Sequence, residues 1–397
     1  MTHRWKRWVA PGAAITAVAL LAACSSSSSS SSSAPSSSSP SASASASAAS
    51  TTASGLAKAD AMVAQLSAVT TKYPVPATAV KGVSALKGKT VYYVPLVAAI
   101  PGFAATAVSM KASLAKAGLK LQVCDGQGNP SSIAACVGQA TGAGAAGIIL
   151  DAAPYGMAEN ALNAAKAKGI PIIIADQYPP TASTVNSDAV TYVPGVVDQP
   201  SQIAWWTIAD SKGTANAIIA QEVDSPSSKQ YVTNSLPIYS QYCPGCKITL
   251  KTITASTNSL LASATSANLL SNPNATYYYT EFEDSLQPTI QGIQQAARTS
   301  VSLSVAGGST DGLGLLKSGS SAVKAVVTVD EAYAAWALTD EILRMATKSA
   351  PVNETYVSRL FTSENISTIQ VTPAAENSGA WFGDTSYQSE FAQLWGV

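Results

Sequence analysis

The chain has 397 residues, 47% of them hydrophobic, which is enough to bury the cores of two ordinary domains and excludes a chain that is disordered throughout. Beyond the first 23 residues it carries 20 basic and 23 acidic side chains, a balance that disfavours nucleic-acid binding. Its one histidine, His3, lies within those 23 residues. The remainder therefore excludes Ser-His-Asp catalysis, Cys-His catalysis and histidine-ligated zinc.

The first 23 residues have the features of an export signal. Basic residues between Arg4 and Arg7 precede an apolar run from Val9 to Leu21, which is too short to span a bilayer. The run ends in Leu21-Ala22-Ala23-Cys24, which resembles the lipobox of bacterial lipoproteins. This resemblance implies that lipid-modified Cys24 anchors the protein to the outer face of the cell membrane. The alternative is an ordinary cleavage site between small residues.

Residues 24–54 are predicted to be a flexible tether. Serine, alanine, threonine and proline make up almost all of this segment, and they cannot bury enough apolar surface to form a core. A tether would hold a folded body near partners in the membrane, whereas the alternative is a low-complexity tail with no spacing role. Residues 55–87 are predicted to form a lead-in helix and linker, since Leu56 to Val69 have helical spacing and two prolines follow.

Apolar strands and helices alternate from Lys89 to Gln177 and again from Asn216 to Thr347. The predicted strands are 90–95, 119–124, 147–150, 171–175, 216–221, 247–254, 275–280, 302–306 and 325–329. The predicted helices are 103–117, 130–142, 157–168, 199–209, 227–242, 260–271, 285–297, 310–318 and 333–347. Crossovers between parallel strands need helices of this length, so the pattern predicts two doubly wound, mainly parallel α/β lobes. Residues 351–397 are only weakly periodic.

Four cysteines besides Cys24 are an even number in a chain predicted to be exported, which indicates two disulfides. Of the three possible pairings we expect Cys124–Cys136 and Cys243–Cys246, because the members of each pair are close in sequence. The Cys243-Pro244-Gly245-Cys246 motif has two rival interpretations, a redox site and half of a four-cysteine zinc site. A redox motif of this kind usually opens a helix, whereas this one precedes a predicted strand.

Many acidic side chains follow the predicted strands, in segments that contain no lysine, arginine or histidine. They are Asp125, Asp151, Asp176, Glu222, Asp224, Glu281, Glu283, Asp284, Asp311, Asp330 and Glu331. Because ligands of doubly wound sheets bind at the carboxyl ends of the strands, the sequence predicts an acidic cleft that suits a hydroxyl-rich or amine ligand and repels anions. The alternative role for such acids is capping of the next helix, which Asp125, Asp284 and Asp311 fit well.

A family resemblance covers about residues 88–347. Four segments match the sugar group of type I periplasmic binding proteins, similar to the ribose-binding protein, in order and spacing. These segments are Val91 to Phe103, Asp125 to Pro130, Ile148 to Asp151 and Ile170 to Gln177. The resemblance implies that ligand is held between two lobes joined by three crossings, near 194–199, near 329–330 and in the C-terminal tail. It divides the chain into lobe 1 (88–197 with 330–350), lobe 2 (198–329) and a returning segment (351–397).

The resemblance also implies a set of ligand contacts. The positions that match the family's are Phe103, Asp151, Tyr155, Asp176, Gln177, Glu222, Phe282, Glu283 and Asp330. Aromatic rings among them, and that of Tyr178, could stack on the apolar face of a sugar, with core packing as the alternative. Phe282-Glu283 stands where ribose binders commonly have Asn-Asp, so pentose specificity does not follow from the resemblance.

The function implied is that of an extracytoplasmic solute-binding lipoprotein. It would be a monomer that captures a small neutral sugar or polyol and delivers it to an ABC permease, without a cofactor or a metal and without enzymatic activity. Alternatives are a sensor lipoprotein that presents its ligand to a membrane receptor, and a binder of an amine or a nucleoside. A carbohydrate-active enzyme is a further alternative, in which Asp151 is paired with Asp330 or Glu283.

Overall fold

The computed structural model describes residues 41–180, 187, 189–195, 199–319 and 321–397, without the side chains of 41–51, 255 and 256. The chain divides into a unit up to Ala44 and a compact unit from Ser45 to Val397, and the following concerns the second. The predicted export signal and Cys24 lie outside the described residues. Within the described ranges, no helix has both the length and the apolar character needed to cross a membrane.

The first sheet has five parallel strands in the order β2-β1-β3-β4-β5 and forms the centre of lobe 1. Its strands are β1 (Thr90–Pro95), β2 (Lys120–Val123), β3 (Gly147–Asp151), β4 (Ile172–Ala175) and β5 (Val190–Val193). The helices up to this point are α1 (Ser41–Ser67), α2 (Pro101–Lys116), α3 (Pro130–Gly142) and α4 (Glu159–Ala167). β3 and β4 are completely buried, as expected for central parallel strands that helices cover on both faces.

The second sheet has six strands in the order β11-β10-β9-β8-β6-β7 and forms the centre of lobe 2. Its strands are β6 (Asn216–Glu222), β7 (Lys247–Ile253), β8 (Tyr277–Thr280), β9 (Ser302–Val305), β10 (Val323–Val329) and β11 (Ser358–Thr362). The remaining helices are α5 (Gln199–Asp210), α6 (Pro226–Tyr242), α7 (Leu261–Ser271), α8 (Leu286–Gln295), α9 (Thr310–Ser318), α10 (Glu331–Thr347), α11 (Pro373–Ser378) and α12 (Tyr387–Trp395). Among the strands that the structure describes, the β10–β11 pair alone is antiparallel, so the predicted fold class is confirmed.

The chain passes between the lobes more often than the resemblance implies. After β10, helix α10 returns to lobe 1 and packs on α2, and β11 then rejoins the second sheet. Two further connections lie side by side, joined by a bridge between Thr70 and Gly383. The first leads from α1, whose Ala59 belongs to the core of lobe 2, to Tyr73 in the core of lobe 1; the second leads from Phe382 to α12. The hinge therefore also contains one segment before β1 and one segment after β11.

Three local predictions are wrong. Helix α1 begins at Ser41, inside the predicted tether, because the Ser-Ala repeat there is rich in alanine, the strongest helix former. Strand β5 was not predicted, since no predicted helix separates it from β4 and the alternation of strands and helices therefore did not reveal it. Asp125 and Asp311 do not cap the following helices. The N-cap side chains are those of Asn129 for α3 and Ser309 for α9.

Both predicted disulfides are confirmed. The bond between Cys124 and Cys136 joins the end of β2 to α3, with 5.7 Å between the Cα atoms. The bond between Cys243 and Cys246 closes the turn that leads from α6 into β7, with a Cα separation of 5.3 Å. Sequence proximity predicted these pairs correctly because both lie within one strand-helix or helix-strand unit.

Candidate functional site

Two carboxylates lie at neighbouring strand ends in lobe 1. Asp151 is the last residue of β3, and Asp176 directly follows β4, its hydrogen-bonded neighbour in the sheet. Asp176 has a φ of 55°, and Ala152, just after Asp151, has the same value. Left-handed backbone at residues other than glycine costs energy and is often found at functional sites. The two turns therefore mark this edge of the sheet as the first candidate site.

A third carboxylate, from the first turn of α10, joins them. Glu331 accepts a hydrogen bond of 2.7 Å from the hydroxyl of Thr106 on α2, and its charge interacts with those of Asp151 and Asp176. Asp151 Oδ2 accepts a 2.7 Å hydrogen bond from the hydroxyl of Tyr93. We refer to Asp151, Asp176 and Glu331 as the cleft carboxylates.

The pKa values of all three cleft carboxylates are raised. For Asp151 the main cause is burial, which opposes the hydrogen bond from Tyr93. Burial, followed by the charge of Asp151, raises the pKa of Asp176 well above its usual range. Burial also raises the pKa of Glu331 to about 8, against the hydrogen bond from Thr106. Without a ligand, Glu331 therefore keeps its proton at neutral pH.

Lobe 2 closes directly over these groups. The hydroxyl of Tyr231 on α6 donates a hydrogen bond to the backbone carbonyl of Asp176. Nearby, the amide N–H of Tyr178 donates to Ser227 Oγ at 3.0 Å, and the side-chain amide of Asn234 donates to the Tyr178 hydroxyl at 2.9 Å. The structure is therefore a closed form, in which residues of α6 contact the loop after β4.

Tyr356 contributes a second ring to the cleft from the segment between α10 and β11. Its hydroxyl is buried and has no hydrogen-bond partner, and its pKa is raised by burial and by the charges of Asp176 and Asp151. A Cβ on Gly195 would overlap this ring and lie 2.7 Å from Asp176 Oδ1. Glycine at this position therefore allows the first crossing to approach the cleft closely.

Lobe 2 has its own buried acids at strand ends. Glu281, after β8, is 1% exposed; its Oε2 accepts the backbone N–H of Glu222 at 2.7 Å, and its Oε1 has no partner. Burial raises its pKa well above the usual range. The pKa of Glu222 is raised to about 8 by burial and then by Asp284 and Asp224, which belong to its own lobe. Glu222 therefore interacts with a second acidic group and not with the cleft carboxylates.

Other residues predicted to contact ligand have partners within the protein. Asp330 is fully buried; one oxygen caps α10 through the N–H of Tyr333 at 2.9 Å, and the other accepts the hydroxyl of Tyr73 at 3.0 Å. Oε1 of Glu283 accepts the N–H groups of Ser309 and Gly312 at the start of α9. These two carboxylates therefore stabilise helix ends.

The remaining predicted contacts are more varied. Tyr155 donates its hydroxyl to Asn163 of α4, within lobe 1, at 2.8 Å. The Gln177 amide donates to the Asp176 carbonyl at 2.8 Å, and Phe103 and Phe282 are half-buried. The predicted ligand set omits four residues of the cleft. They are Glu331, Tyr93 on β1, Tyr231 on α6 and Tyr356 between α10 and β11. Of these, only Glu331 had a signal in the sequence, as one of the acids that follow strands.

We expect the protein to lose stability as the pH rises. The pKa values of Asp330 and Glu341 are raised to about 7, and those of Glu331 and Glu222 to about 8, so the folded chain keeps protons that the unfolded chain releases. This contribution is full below the unfolded carboxyl pKa of about 4 and is lost as the pH rises through the folded values, at roughly 1.4 kcal/mol per pH unit for each retained proton. Urea unfolding between about pH 5 and pH 8 measures it.

A matched pair of variants controls this measurement. Glu331→Gln removes one carboxyl group with a raised pKa, so the free energy of unfolding should fall less steeply with pH. Glu364→Gln changes an exposed glutamate and should leave this pH dependence unaltered. A free energy of unfolding that rises from pH 5 to pH 8 would contradict the assignment of protonated buried acids.

Comparison with known proteins supports the fold. No family model matches the chain, and no curated protein does either. Among solved structures, a solute-binding protein of an ABC transporter from Agrobacterium vitis with bound allitol matches with a TM-score of 0.60 and 16% identity, covering 71% of this chain and 98% of that one. The Caulobacter myo-inositol binding protein, bound to myo-inositol, matches with a TM-score of 0.60 and 21% identity, covering 71% of this chain and 96% of that one. A sugar ABC transporter structure from Yersinia enterocolitica matches with a TM-score of 0.63 and 17% identity, covering 82% of this chain and 99% of that one.

The chain has the fold of the sugar-binding periplasmic proteins. At identities near 20% this likeness concerns the fold and not the ligand. Nearly the whole length of each solved protein is matched, so the solute-binding-protein fold here is complete and includes both lobes. In this fold the cleft carboxylates lie where the strands of lobe 1 end, facing α6 of lobe 2.

Proposed function

We propose that this protein is an extracytoplasmic solute-binding protein that captures a small ligand of the sugar or polyol class and delivers it to an ABC permease. The observation that carries the proposal is the closed contact of α6 with the strand ends of lobe 1, where Tyr231 meets the Asp176 loop. Closure over buried hydrogen-bonding groups is how a two-lobe protein encloses a ligand, with the ligand stabilising the closed state. The solved proteins of the same fold, with bound allitol and myo-inositol, agree with this ligand class.

Binding explains the cleft better than catalysis does. A glycosidase needs two carboxyl groups that are free to act on the same bond, one of them as an acid. Asp330 and Glu283, the proposed partners of Asp151, instead accept hydrogen bonds from helix N-termini. The proposal therefore assigns no catalytic residue.

Anchoring and assembly complete the proposal. Lipid-modified Cys24 would hold the monomer at the outer face of the membrane, and residues between Cys24 and the compact unit would give it reach toward the permease. Replacing Cys24 by serine should release the protein from the membrane fraction. Retention of the Cys24→Ser protein would contradict lipid anchoring without bearing on ligand binding.

A ligand panel tests the binding proposal. We expect the thermal unfolding temperature of the purified chain to rise with one or a few sugars or polyols, since a ligand present at about 100 times its dissociation constant adds about 2.7 kcal/mol to folding. The panel should include hexoses, pentoses, alditols, inositols and nucleosides, with amino acids as a different class. Absence of any shift across all sugars and polyols would overturn the proposed ligand class.

A further inference from the structure

Among the residues that the structure describes, no cationic side chain pairs with the cleft carboxylates. In the part of the chain that the structure describes, the one ion pair is Arg344–Asp340. The donors that reach the cleft carboxylates are the hydroxyls of Tyr93 and Thr106 and the backbone N–H groups of Ala152 and Gly195. Three carboxyl groups thus share a buried region with uncharged donors only.

Two carboxylate oxygens in this region lack a donor. Asp151 Oδ1 and Asp176 Oδ1 are both inaccessible to solvent and without a hydrogen-bond partner, and Asp151 as a whole is 3% exposed. The two carboxyl groups are within hydrogen-bonding reach of each other, so a proton shared between them satisfies both oxygens. Once that proton is lost, both oxygens need another donor, because an unsatisfied buried polar atom is costly, and a ligand in the cleft can supply it.

The electrostatics decide what kind of group that is. A neutral sugar offers hydroxyl donors but no positive charge. Each carboxyl group would then either keep its proton, as Glu331 does at neutral pH, or carry a buried charge without a partner, which is strongly unfavourable. A protonated amine offers up to three donors together with the positive charge. The hydroxyl oxygens of Tyr93 and Tyr231 lie against Asp151 and the Asp176 carbonyl, so they are further acceptors for an ammonium group.

We infer that the ligand of this cleft is a sugar- or polyol-sized molecule carrying a protonated amine, whose ammonium group is held between Asp151, Asp176 and Glu331. This inference rests on the proposed function and narrows its ligand class. Lobe closure would bring the tyrosine of α6 against the cation while the hydroxyl groups of the ligand contact the remaining polar side chains.

The test compares ligands that differ only in the amine. The pairs are 1-amino-1-deoxy-D-glucitol with D-glucitol, 2-amino-2-deoxy-D-glucose with D-glucose, and an inosamine with myo-inositol. In calorimetric titration of the full chain at neutral pH, the amine of at least one pair should bind at least about tenfold more tightly than its neutral partner. This ratio is expected for a charge-assisted hydrogen bond of about 1.5 kcal/mol. N-acetylation of that amine should remove the difference.

Each outcome discriminates. Neutral members that bind as tightly as the amines, or more tightly, would overturn the inference and leave the proposed function intact. No binding by any member of any pair, together with a panel without shifts, would overturn both. Glu331→Gln keeps an acceptor for Thr106 but removes a carboxyl group that can ionise beside the ammonium, so the amine-to-neutral affinity ratio should fall. The exposed Glu364→Gln should keep the ratio, and an unchanged ratio in Glu331→Gln would contradict the assigned place of the ammonium.

Discussion

Exchanging Asp151 for asparagine should weaken ligand binding by at least about 100-fold, because two hydrogen bonds to a charged group contribute about 1.5 to 3 kcal/mol each. Asparagine has the same shape and can still accept the Tyr93 hydroxyl, so the protein should remain folded. Its stability should not fall, since the exchange removes a buried carboxyl whose pKa burial has raised. Calorimetric titration with any ligand found in the panel measures the loss, and urea unfolding checks the fold.

Two further variants make this result specific. Asp60→Asn changes an exposed aspartate of α1, away from the cleft, and should bind like the parent chain. Asp330→Ala should instead lower stability by about 1 to 2 kcal/mol, because it removes the cap of α10 and leaves the Tyr73 hydroxyl without its acceptor. Full binding by Asp151→Asn would place the ligand outside the cleft carboxylates.

Replacing Arg344 by methionine should lower the free energy of unfolding by about 3 to 5 kcal/mol, the usual cost of removing one partner of a buried ion pair. Arg344 is 1% exposed; its Nε donates to Asp340 at 2.6 Å, and its Nη2 donates to the Thr78 carbonyl at 2.6 Å. Glu341 and Glu354 interact with the same charge, and burial followed by the charge of Asp340 raises the pKa of Glu354 to about 10. Urea unfolding at neutral pH measures the loss.

The control for this variant is Lys111→Met, which makes the same change from a cationic to an apolar side chain at an exposed position of α2. Its effect should stay within about 0.5 kcal/mol, as for most surface exchanges. A loss below about 1 kcal/mol in Arg344→Met would mean that Asp340 does not depend on the arginine for its charge.

The strands show why so much of the fold could be predicted. β3 and β4 are continuous apolar runs bounded by glycine, proline and acids, and this local pattern is enough to predict buried parallel strands. β5 was missed because no predicted helix separates it from β4, whereas β7 was predicted although it is largely exposed at the sheet edge. The two extra connections at the hinge depend on contacts such as Thr70 with Gly383, which are far apart in sequence.

The residues of the cleft, too, could be predicted only in part. Placing acids after strands predicted Asp151 and Asp176 at one edge, because neighbouring parallel strands end together. The same rule could not separate them from Asp330 and Glu283, since a carboxylate after a strand either faces the ligand or caps a helix. Only the positions of the backbone N–H groups distinguish these roles.

The alternation of apolar strands and helices thus determined two parallel sheets, a cleft at their carboxyl ends and an excess of acids there, since each is a property of short segments. The tertiary structure alone decided which acids meet. Asp151, Asp176 and Glu331 come from different elements of lobe 1, and Tyr231 reaches them from lobe 2. Burial and missing counter-charges, which make this group a candidate amine site, arise only when distant segments pack together.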